Sequence, residues 1–600
     1  PRMFQSFETL SSPEHGAARL NALREMFNNE DLNGFIIPRA DAHQGEYVAP
    51  HDERLQWLTG FTGSAGFCCA LEDSAGVFID GRYRTQVKAQ VDLAVYTPVP
   101  SPETSLTDWL RSALPGGGVV GFDPWLMTQG QLESHSHALS GTAITLRAAA
   151  NLVDRIWDDQ PAPPDAPAIA FDIEFAGKSS TDKRDDVARD LKDQHETATV
   201  LTLPDSICWL LNLRGNDVPR TPLLHSFAIV YNTGRVTLFV MPEKMTAVTL
   251  EAHIDIASPE AFDPALRAMT GRVRLDKSSV PVAVVRALEA SAAEITYGEE
   301  PCALPKARKN PTEIAGTRQA HHSDAIAMVE LLSWLDAQPA GSTRETEVVS
   351  ALESHRRASN GLRDISFDTI AGSGPNGAIM HYRVTHDTDR VMQDGDLLVL
   401  DSGGQYLNGT TDITRTIAIG TPGQDEATAF TRVLQGMIAM SRLRFPRGLA
   451  GRDIESTARM PLWLAGQDFD HGVGHGVGHY LSVHEGPQRL SRASHVPLEA
   501  GMILSNEPGY YREGAFGIRI ENLIVVQDAR AVDGGDAHRK MLDFETLTYV
   551  PLDRRLIRTD LLSAAERDWL NRYHGKCRAK LTGHLSPRAE KWLVQATAAL

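Results

Sequence analysis

The sequence predicts an α/β (α+β) chain in three parts, two α/β units of similar size and order followed by a larger third region. Three observations predict it. Six hundred residues are too many for one hydrophobic core, and about 150 residues per domain gives roughly four units or fewer. Through the first half, helix-period and strand-like stretches alternate. Proline-rich stretches then divide the chain: Asp158–Pro167 holds four prolines, and Pro301, Pro305 and Pro311 follow, which neither helix interior nor central strand tolerates. The units so marked span residues 1–157, 158–305 and 306–600, the last with a helical extension from about 554.

In the first unit a helical pattern at Ala17–Phe27 precedes an apolar strand, Gly34–Pro38. Short strands at Gly66–Leu71 and Gly76–Ile79 end in Asp80-Gly81, a turn pair. A helix at Thr85–Val91 and a strand at Val119–Phe122 continue the alternation. The second unit repeats the style. A charged helix at Lys183–His195 precedes Thr199–Leu203, and His225–Tyr231 and Arg235–Val240 flank Asn232-Thr-Gly234, a hairpin signal. The similar order suggests a duplication. The third region opens with a long helix, Thr312–Leu335, for which Thr312 is a suitable N-cap. Its tail carries Trp569, Tyr573 and Trp592 at positions suited to burial.

Composition narrows the function classes. Hydrophobic residues make up 42% and charged residues 23%, ordinary for a folded domain. No run of about 18 apolar residues reads as a membrane span, and residues 1–30 carry charges without a signal-peptide core. Fifty-nine basic against 77 acidic residues give a net charge of −18, a field that repels phosphate backbones. Five cysteines without metal-type spacing read as reduced buried thiols.

Four elements of the third region carry chemistry. Leu397–Leu400 is an apolar strand ending in Asp401-Ser-Gly-Gly, and Asp412 opens the alternating strand that follows. Antiparallel pairing about Tyr406/Leu407 sets Asp401 opposite Asp412, whose mutual repulsion calls for a cation; a turn at Asn408-Gly409 instead shifts the register. His471-Gly-Val-Gly-His475-Gly-Val-Gly-His479 is too rich in glycine for a helix and reads as an extended segment presenting one imidazole. Met502–Glu507 repeats the apolar strand ending in a carboxylate. In Gly517–Val526 period-two alternation puts Arg519, Glu521, Leu523 and Val525 on one face, Ile518 and Ile520 on the other. Each element also admits a plainer role: solvated aspartates near turns, a flexible histidine-rich loop, a lone Arg519–Glu521 contact. Together, four carboxylates balance two divalent cations, and oxygen-rich ligation with one imidazole favours Mn²⁺ or a similar first-row ion.

The order Asp401, Asp412, His475, Glu507, Glu521 resembles the ligand order of the pita-bread metallopeptidases. Longer strings resemble the three-domain Xaa-Pro aminopeptidases: Asp41-Ala-His-Gln-Gly-Glu-Tyr47, Gly60–Gly66, Asp80–Tyr83, Asn212–Gly215, Gly372–Gly377 with His381-Tyr382, Asp401–Tyr406, His471–Pro487, Phe544–Thr548 and Asp568–Tyr573. The resemblance covers nearly the whole chain. It implies two creatinase-like N-terminal α/β domains before a pita-bread catalytic domain, and hydrolysis of the N-terminal Xaa-Pro bond by a hydroxide bridging two metals. Asp412 and Glu521 bridge them in that scheme, Asp401 chelates one, and His475 and Glu507 complete the other. Glu507 shuttles a proton, His381 and His484 hold the scissile bond, His471 lies near the penultimate proline, and Arg519 orients a carboxylate ligand. The implied cofactors are two divalent ions, Mn²⁺ foremost, with Zn²⁺ or Co²⁺ as alternatives. The implied partners are peptides with proline second, in a cytoplasmic homodimer without nucleic-acid or membrane contacts. The rivals are prolidase, which cleaves Xaa-Pro dipeptides, and a non-catalytic pita-bread scaffold, which typically lacks ligands present here. His479 stands where relatives often carry a small polar residue, and Gly45 where they often carry Ser; His479 is left facing either the metals or solvent.

Overall fold

The computed structural model describes residues 2–359 and 361–600. They form two compact units, Leu10–Ala303, and Leu304–Leu600 with residues 2–9.

Leu10–Ala303 contains two six-stranded sheets. The first comprises β1 (Gly34–Pro38), β2 (Phe67–Leu71), β3 (Ala75–Ile79), β4 (Thr97–Pro100), β5 (Gly118–Phe122) and β6 (Ile144–Ala148). Their order is β4-β3-β2-β1-β5-β6. Strand β1 is antiparallel to β2 and parallel to β5, and β3 is parallel to β4. Successive residues of β1 enter different cores. Phe35 and Ile37 join one cluster with Leu20, Leu23 and Val77, and Ile36 joins another with Phe78, Val120 and Phe122. A sheet covered on both faces needs apolar residues at consecutive positions, hence the unbroken run Gly34–Ile37.

The second sheet comprises β7 (Ala198–Leu201), β8 (Phe227–Tyr231), β9 (Val236–Phe239), β10 (Ile254–Ala257), β11 (Arg272–Leu275) and β12 (Glu294–Tyr297). Its order is β10-β9-β8-β7-β11-β12. Strand directions repeat those of the first sheet: β7 is antiparallel to β8 and parallel to β11, and β9 is parallel to β10. Identical order and direction give the suggested duplication a topological basis.

The longest helix of the other unit is α1 (Pro311–Asp336), whose N-cap is Asn310. The Asn310 side chain accepts the Glu313 N–H while Glu313 reaches back, with Pro311 at the first helical position. The expected cap at Thr312 is therefore displaced two residues upstream, because Asn-Pro-x-Glu satisfies two free N–H groups at once. Helix α2 (Glu345–Arg357) packs beside it. Strands β13 (Leu362–Ile365), β14 (Ile370–Ser373), β15 (Leu397–Ser402), β16 (Gly404–Tyr406), β17 (Gly409–Thr410) and β18 (Ile413–Ala418) form two three-stranded sheets, β13-β16-β17 and β14-β15-β18. After α3 (Gln424–Ser441) and α4 (Ser456–Trp463) come β19 (Phe445–Pro446, between those helices), β20 (Gly474–Gly476), β21 (Glu485–Leu490), β22 (Ile503–Asn506), β23 (Gly509–Arg512), β24 (Phe516–Arg519), β25 (Asn522–Asp528) and β26 (Met541–Thr546). Six of these build one sheet, β19-β26-β25-β22-β20-β21, and β23 pairs with β24.

The main core of this unit joins Phe430, Val433 and Met437 of α3 to Ile518, Ile520, Ile524 and Val526. Leu523 and Val525 face a separate cluster with Val477 and Ile503, so the alternation read along Gly517–Val526 holds. The tail forms α5 (Ala564–Leu581) and α6 (Pro587–Ala596), with Tyr573 buried and Trp569 and Trp592 half-buried. The five cysteines are all free and buried. Among the described residues no helix is long and apolar enough to cross a membrane.

Candidate metal centre

Asp401 lies one residue from the end of β15, a strand buried along its whole length. The hairpin that follows turns at Leu407-Asn408, because Tyr406 pairs with Gly409 and Gln405 with Thr410. Gly409 lies against Thr317 of α1, whose Cα would stand 3.0 Å from an added Cβ. Asp401 therefore pairs with Thr414 rather than Asp412. The turn sits one position later than a hairpin about Tyr406/Leu407 requires. Asp412 keeps its face of the ribbon as the diagonal neighbour of Asp401, within reach across the strands.

The glycine-framed histidine segment is extended at β20, between β21 and β22. A Cβ on Gly474 would meet the Ser505 carbonyl oxygen at 1.9 Å, so only glycine lets β20 approach β22 this closely. Within β20, two hydrogen bonds orient His475. Its N–H donates to Ser505 Oγ at 3.0 Å, its Nδ1 lies 2.8 Å from the Gly476 carbonyl, and its Nε2 is left for the site. Glu507 follows β22 directly, its N–H bonded to the Val473 carbonyl at 2.8 Å. Glu521 sits between β24 and β25, and its backbone bridges Thr414 across the site.

The four elements converge. Ligand atoms of Asp412, His475, Glu507 and Glu521 lie within 4.8 Å of one another, as do those of Asp412, His475 and His484. His475 Nε2 stands 3.3 Å from Asp412 Oδ2 and 3.2 Å from Glu507 Oε2. Asp401 belongs to neither grouping; Arg519 holds its Oδ2 through Nη2 at 2.9 Å and Nε at 3.2 Å. Oδ1 of Asp401, Oδ1 of Asp412 and Oε2 of Glu521 are buried without a hydrogen bond. Buried carboxylate oxygens left bare are costly, and a cation among them is the economical remedy. Four carboxylates and one imidazole suit hard or borderline divalent ions.

The electrostatics point the same way. Burial, joined by repulsion from Asp412 and Glu507 and opposed by Arg519, pushes the Asp401 carboxyl up to about 7. Burial and the carboxylates of Asp412, Glu507 and Asp401 hold Glu521 well above the usual range. Glu507 moves down despite its burial, because His475 and Glu521 hydrogen-bond to it. His475 is raised although burial opposes it, since Asp412 and Glu507 stabilise its cation. Without metal, protons supply the positive charge that the cluster demands.

His471 is linked to the cluster through a chain of hydrogen bonds. Its Nδ1 lies 2.8 Å from the Gly472 carbonyl, to which it donates, and its Nε2 stands 2.7 Å from the Tyr511 hydroxyl. Arg519 Nη1 donates to the same hydroxyl at 2.7 Å, which leaves the Tyr511 proton for His471 Nε2. Burial holds His471 down to about 4, consistent with that neutral acceptor. His484 sets its ring edge-on to His475, with centroids 4.2 Å apart. His381 occupies the turn after the 3-10 helix Gly374–Ala378, half-buried and in neither ligand grouping. The 3-10 helix itself packs on β24, where a Cβ on Gly517 would meet the Gly377 carbonyl oxygen at 1.7 Å. His479 is 2% exposed, so it does not face solvent, and it belongs to neither grouping.

Two supporting residues escaped the sequence reading. Thr414 Oγ1 donates to Glu521 Oε1 at 2.8 Å, and Tyr511 joins His471 to Arg519. Period two carries both signals: Thr414 is two residues from Asp412, and Tyr511 is four from Glu507 on a strand whose Gly509 pairs with Arg519. Deeper still, Arg356 binds Asp324 at 2.8 and 3.1 Å and Ser402 Oγ at 2.9 Å, bracing the end of β15.

The profile of metallopeptidase family M24 matches residues 315–528, and that of the C-terminal region of these peptidases matches 540–600. Profiles of the creatinase/prolidase N-terminal domain match twice, at 19–156 and 159–313. A protein of Laccaria bicolor described as a probable Xaa-Pro aminopeptidase P is 37% identical across 96% of this chain and 92% of its own length. The crystal structure of X-prolyl aminopeptidase from Caenorhabditis elegans, described as a cytosolic enzyme with a di-nuclear active site, superposes with a TM-score of 0.90. It has 30% identity over 98% of this chain and 100% of the other. Prolidase from Pyrococcus horikoshii shares the fold at a TM-score of 0.50 and 23% identity, over 62% of this chain and 99% of its own.

Proposed function

The chain belongs to metallopeptidase family M24, with two creatinase-type N-terminal domains and a pita-bread catalytic domain, and from that premise we propose how it works as an Xaa-Pro aminopeptidase. It is a metalloaminopeptidase that removes the N-terminal residue from peptides with proline in second place. The observation that carries this reading is the convergence of the Asp412, Glu507 and Glu521 carboxylates on the His475 imidazole, with one buried oxygen each of Asp401, Asp412 and Glu521 left bare.

Asp401, Asp412, His475, Glu507 and Glu521 would hold two divalent cations. When bound, the pair supplies Lewis acidity that activates water as the nucleophile and polarises the scissile carbonyl. The oxygen-rich ligand set favours Mn²⁺, with Zn²⁺ or Co²⁺ as alternatives. Protein groups do the rest. Glu507 takes the proton of the attacking water and passes it towards the leaving amine. His381 and His484 hold the scissile peptide and support the developing oxyanion. Arg519 fixes Asp401 by two donors, and Tyr511 sets the tautomer of His471 beside the penultimate proline. An Xaa-Pro bond offers no N–H, so recognition falls to this histidine and aromatic lining.

The homodimer rests on family resemblance and on exposed Met460, Trp463 and Leu464 at the end of α4. A cytoplasmic setting rests on the described location of the nematode enzyme. The test is hydrolysis with Mn²⁺ of peptides beginning Arg-Pro-Pro and Arg-Ala-Pro beside a bare Xaa-Pro dipeptide. Release of arginine from the first alone is expected. Preference for the dipeptide assigns the chain to prolidase chemistry, and inactivity with every metal favours a scaffold.

A further inference from the structure

Beside the metal centre lies a group of charges that the chemistry above leaves unused. Lys306 Nζ stands 2.7 Å from Glu485 Oε1, and Lys309 Nζ 2.5 Å from Glu485 Oε2. The three side chains are 4, 1 and 0% exposed. Both ammonium groups hold the Glu485 carboxyl below the usual range despite its burial. Removing three ions from water costs several kcal/mol each, and a hydrophobic replacement is often at least as stable. The three ions are nonetheless kept together here. Stability alone does not account for it, whereas geometric specification does.

What Glu485 specifies follows from its place in the chain. It comes directly after His484 and opens β21. Its backbone pairs with Gly476, the neighbour of His475, while His475 itself pairs with Arg489. The register thus jumps four residues between adjacent positions of β20, and the chain that leaves the ladder closes on Glu485. The lysines are anchored too: the Lys309 N–H donates to the Gly501 carbonyl at 3.0 Å, and Arg308 bridges Met502. A carboxylate held on one oxygen can still rotate; here Lys309 hydrogen-bonds to Oε2 while the Lys306 ammonium stands against Oε1 as an ion pair, and the two contacts together restrict that rotation. The rigid segment before α1 therefore holds the residue that follows His484.

We propose that Glu485, clamped by Lys306 and Lys309, is a positioning residue that sets the imidazole of His484 against the scissile bond. The inference rests on the aminopeptidase reading for its role, and on the geometry alone for the clamp. Lys306→Met is the decisive variant, because Glu485 keeps its Lys309 partner on the other oxygen. Its melting temperature and its metal content should match the parent's. Its kcat on an Arg-Pro-Pro peptide should fall about 10- to 100-fold, the cost of a reacting group displaced by around 1 Å, with KM within about 2-fold. Lys306→Arg, which keeps a cation beside Oε1, should restore most of kcat. A second readout needs no catalysis. In Zn²⁺-loaded protein labelled at histidine, the His484 ring resonance, assigned with His484→Gln, should shift or broaden in Lys306→Met and return in Lys306→Arg. Parental kcat together with an unchanged ring resonance in Lys306→Met overturns the proposal, as does a kcat loss matched by loss of metal. An inactive parent in which the resonance still responds defeats the aminopeptidase reading and leaves the clamp standing.

Discussion

Chelating the metals from the loaded protein leaves Asp401, Asp412, Glu507 and Glu521 facing one another in a buried site. The Asp401 carboxyl then sits at about 7 instead of 3.8, through burial and the neighbouring carboxylates against the pull of Arg519. Its folded-state value is raised, so the folded chain binds this proton more tightly than the unfolded chain does. Stability from this group is fully present below about pH 4 and is lost as pH rises through about 7. At about 1.4 kcal/mol per unit, the whole shift is worth of the order of 4 kcal/mol, and roughly 3 kcal/mol of it falls between pH 5 and 8. Glu521 shifts in the same direction and adds to the slope. Divalent ions reverse it, since cations replace protons and compete with them least at high pH. The assay is calorimetric unfolding of chelator-treated protein at several pH values, with and without Mn²⁺, following the transition that metal moves. The metal-free protein should weaken steadily from pH 5 to 8, and Mn²⁺ should stabilise it more at pH 8 than at pH 5. Metal-free Asp401→Asn should lose most of the slope. A metal-free parent as stable at pH 8 as at pH 5, with Asp401→Asn following the same curve, would refute the reasoning.

Further outcomes follow from the same geometry. Asp412→Asn should retain less than one metal per chain by elemental analysis and lose about 10³-fold or more in kcat. Its metal-free melting temperature should equal or exceed the parent's, because a repulsive buried charge is gone. Tyr511→Phe leaves Arg519 Nη1 and His471 Nε2 each without a partner, a penalty of about 1–3 kcal/mol for a buried group. It should lower kcat/KM by about 10- to 100-fold while both metals stay bound. Gly474→Ala forces a methyl against the Ser505 carbonyl oxygen at 1.9 Å. It should destabilise the catalytic unit by about 1–3 kcal/mol and weaken Mn²⁺ affinity, measured by competition with a fluorescent chelator.

Much of this architecture is legible along the chain because burial imposes simple periods. The unbroken apolar runs at Gly34–Ile37 and Leu397–Leu400 mark strands covered on both faces, and alternation from Ile518 to Val526 separates two cores. The duplicated order of the N-terminal sheets is legible as a style, but only strand directions make it a topology. Other features depend on contacts distant in sequence. The hairpin register follows from Gly409 meeting α1 near Thr317, a partner some ninety positions away. Lys306 and Lys309 lie in a proline-broken segment whose sequence carries no sign of burial; their partner Glu485 arrives much later in the chain. Tyr510 and Tyr511 look alike as a pair, and only the pairing of β23 with β24 turns Tyr511 towards Arg519.

The placement of the ligands also explains why the site calls for two cations rather than one. Asp401 and Asp412 come from one hairpin, Glu507 and Glu521 from the ends of another strand pair, and His475 from the strand beside Glu507. The two carboxylate-bearing halves are joined backbone to backbone where Thr414 and Glu521 exchange N–H groups at 3.4 and 3.0 Å. Thr414 also donates its hydroxyl to Glu521, and Arg519, next but one to Glu521, crosses over to hold Asp401. Each half alone presents two carboxylates, a charge that one divalent ion neutralises. Joining the halves across a bridge of fixed length puts two such sites side by side, with Asp412 and Glu521 nearest the seam. Neutralising either seam residue is therefore expected to weaken metal binding in both halves.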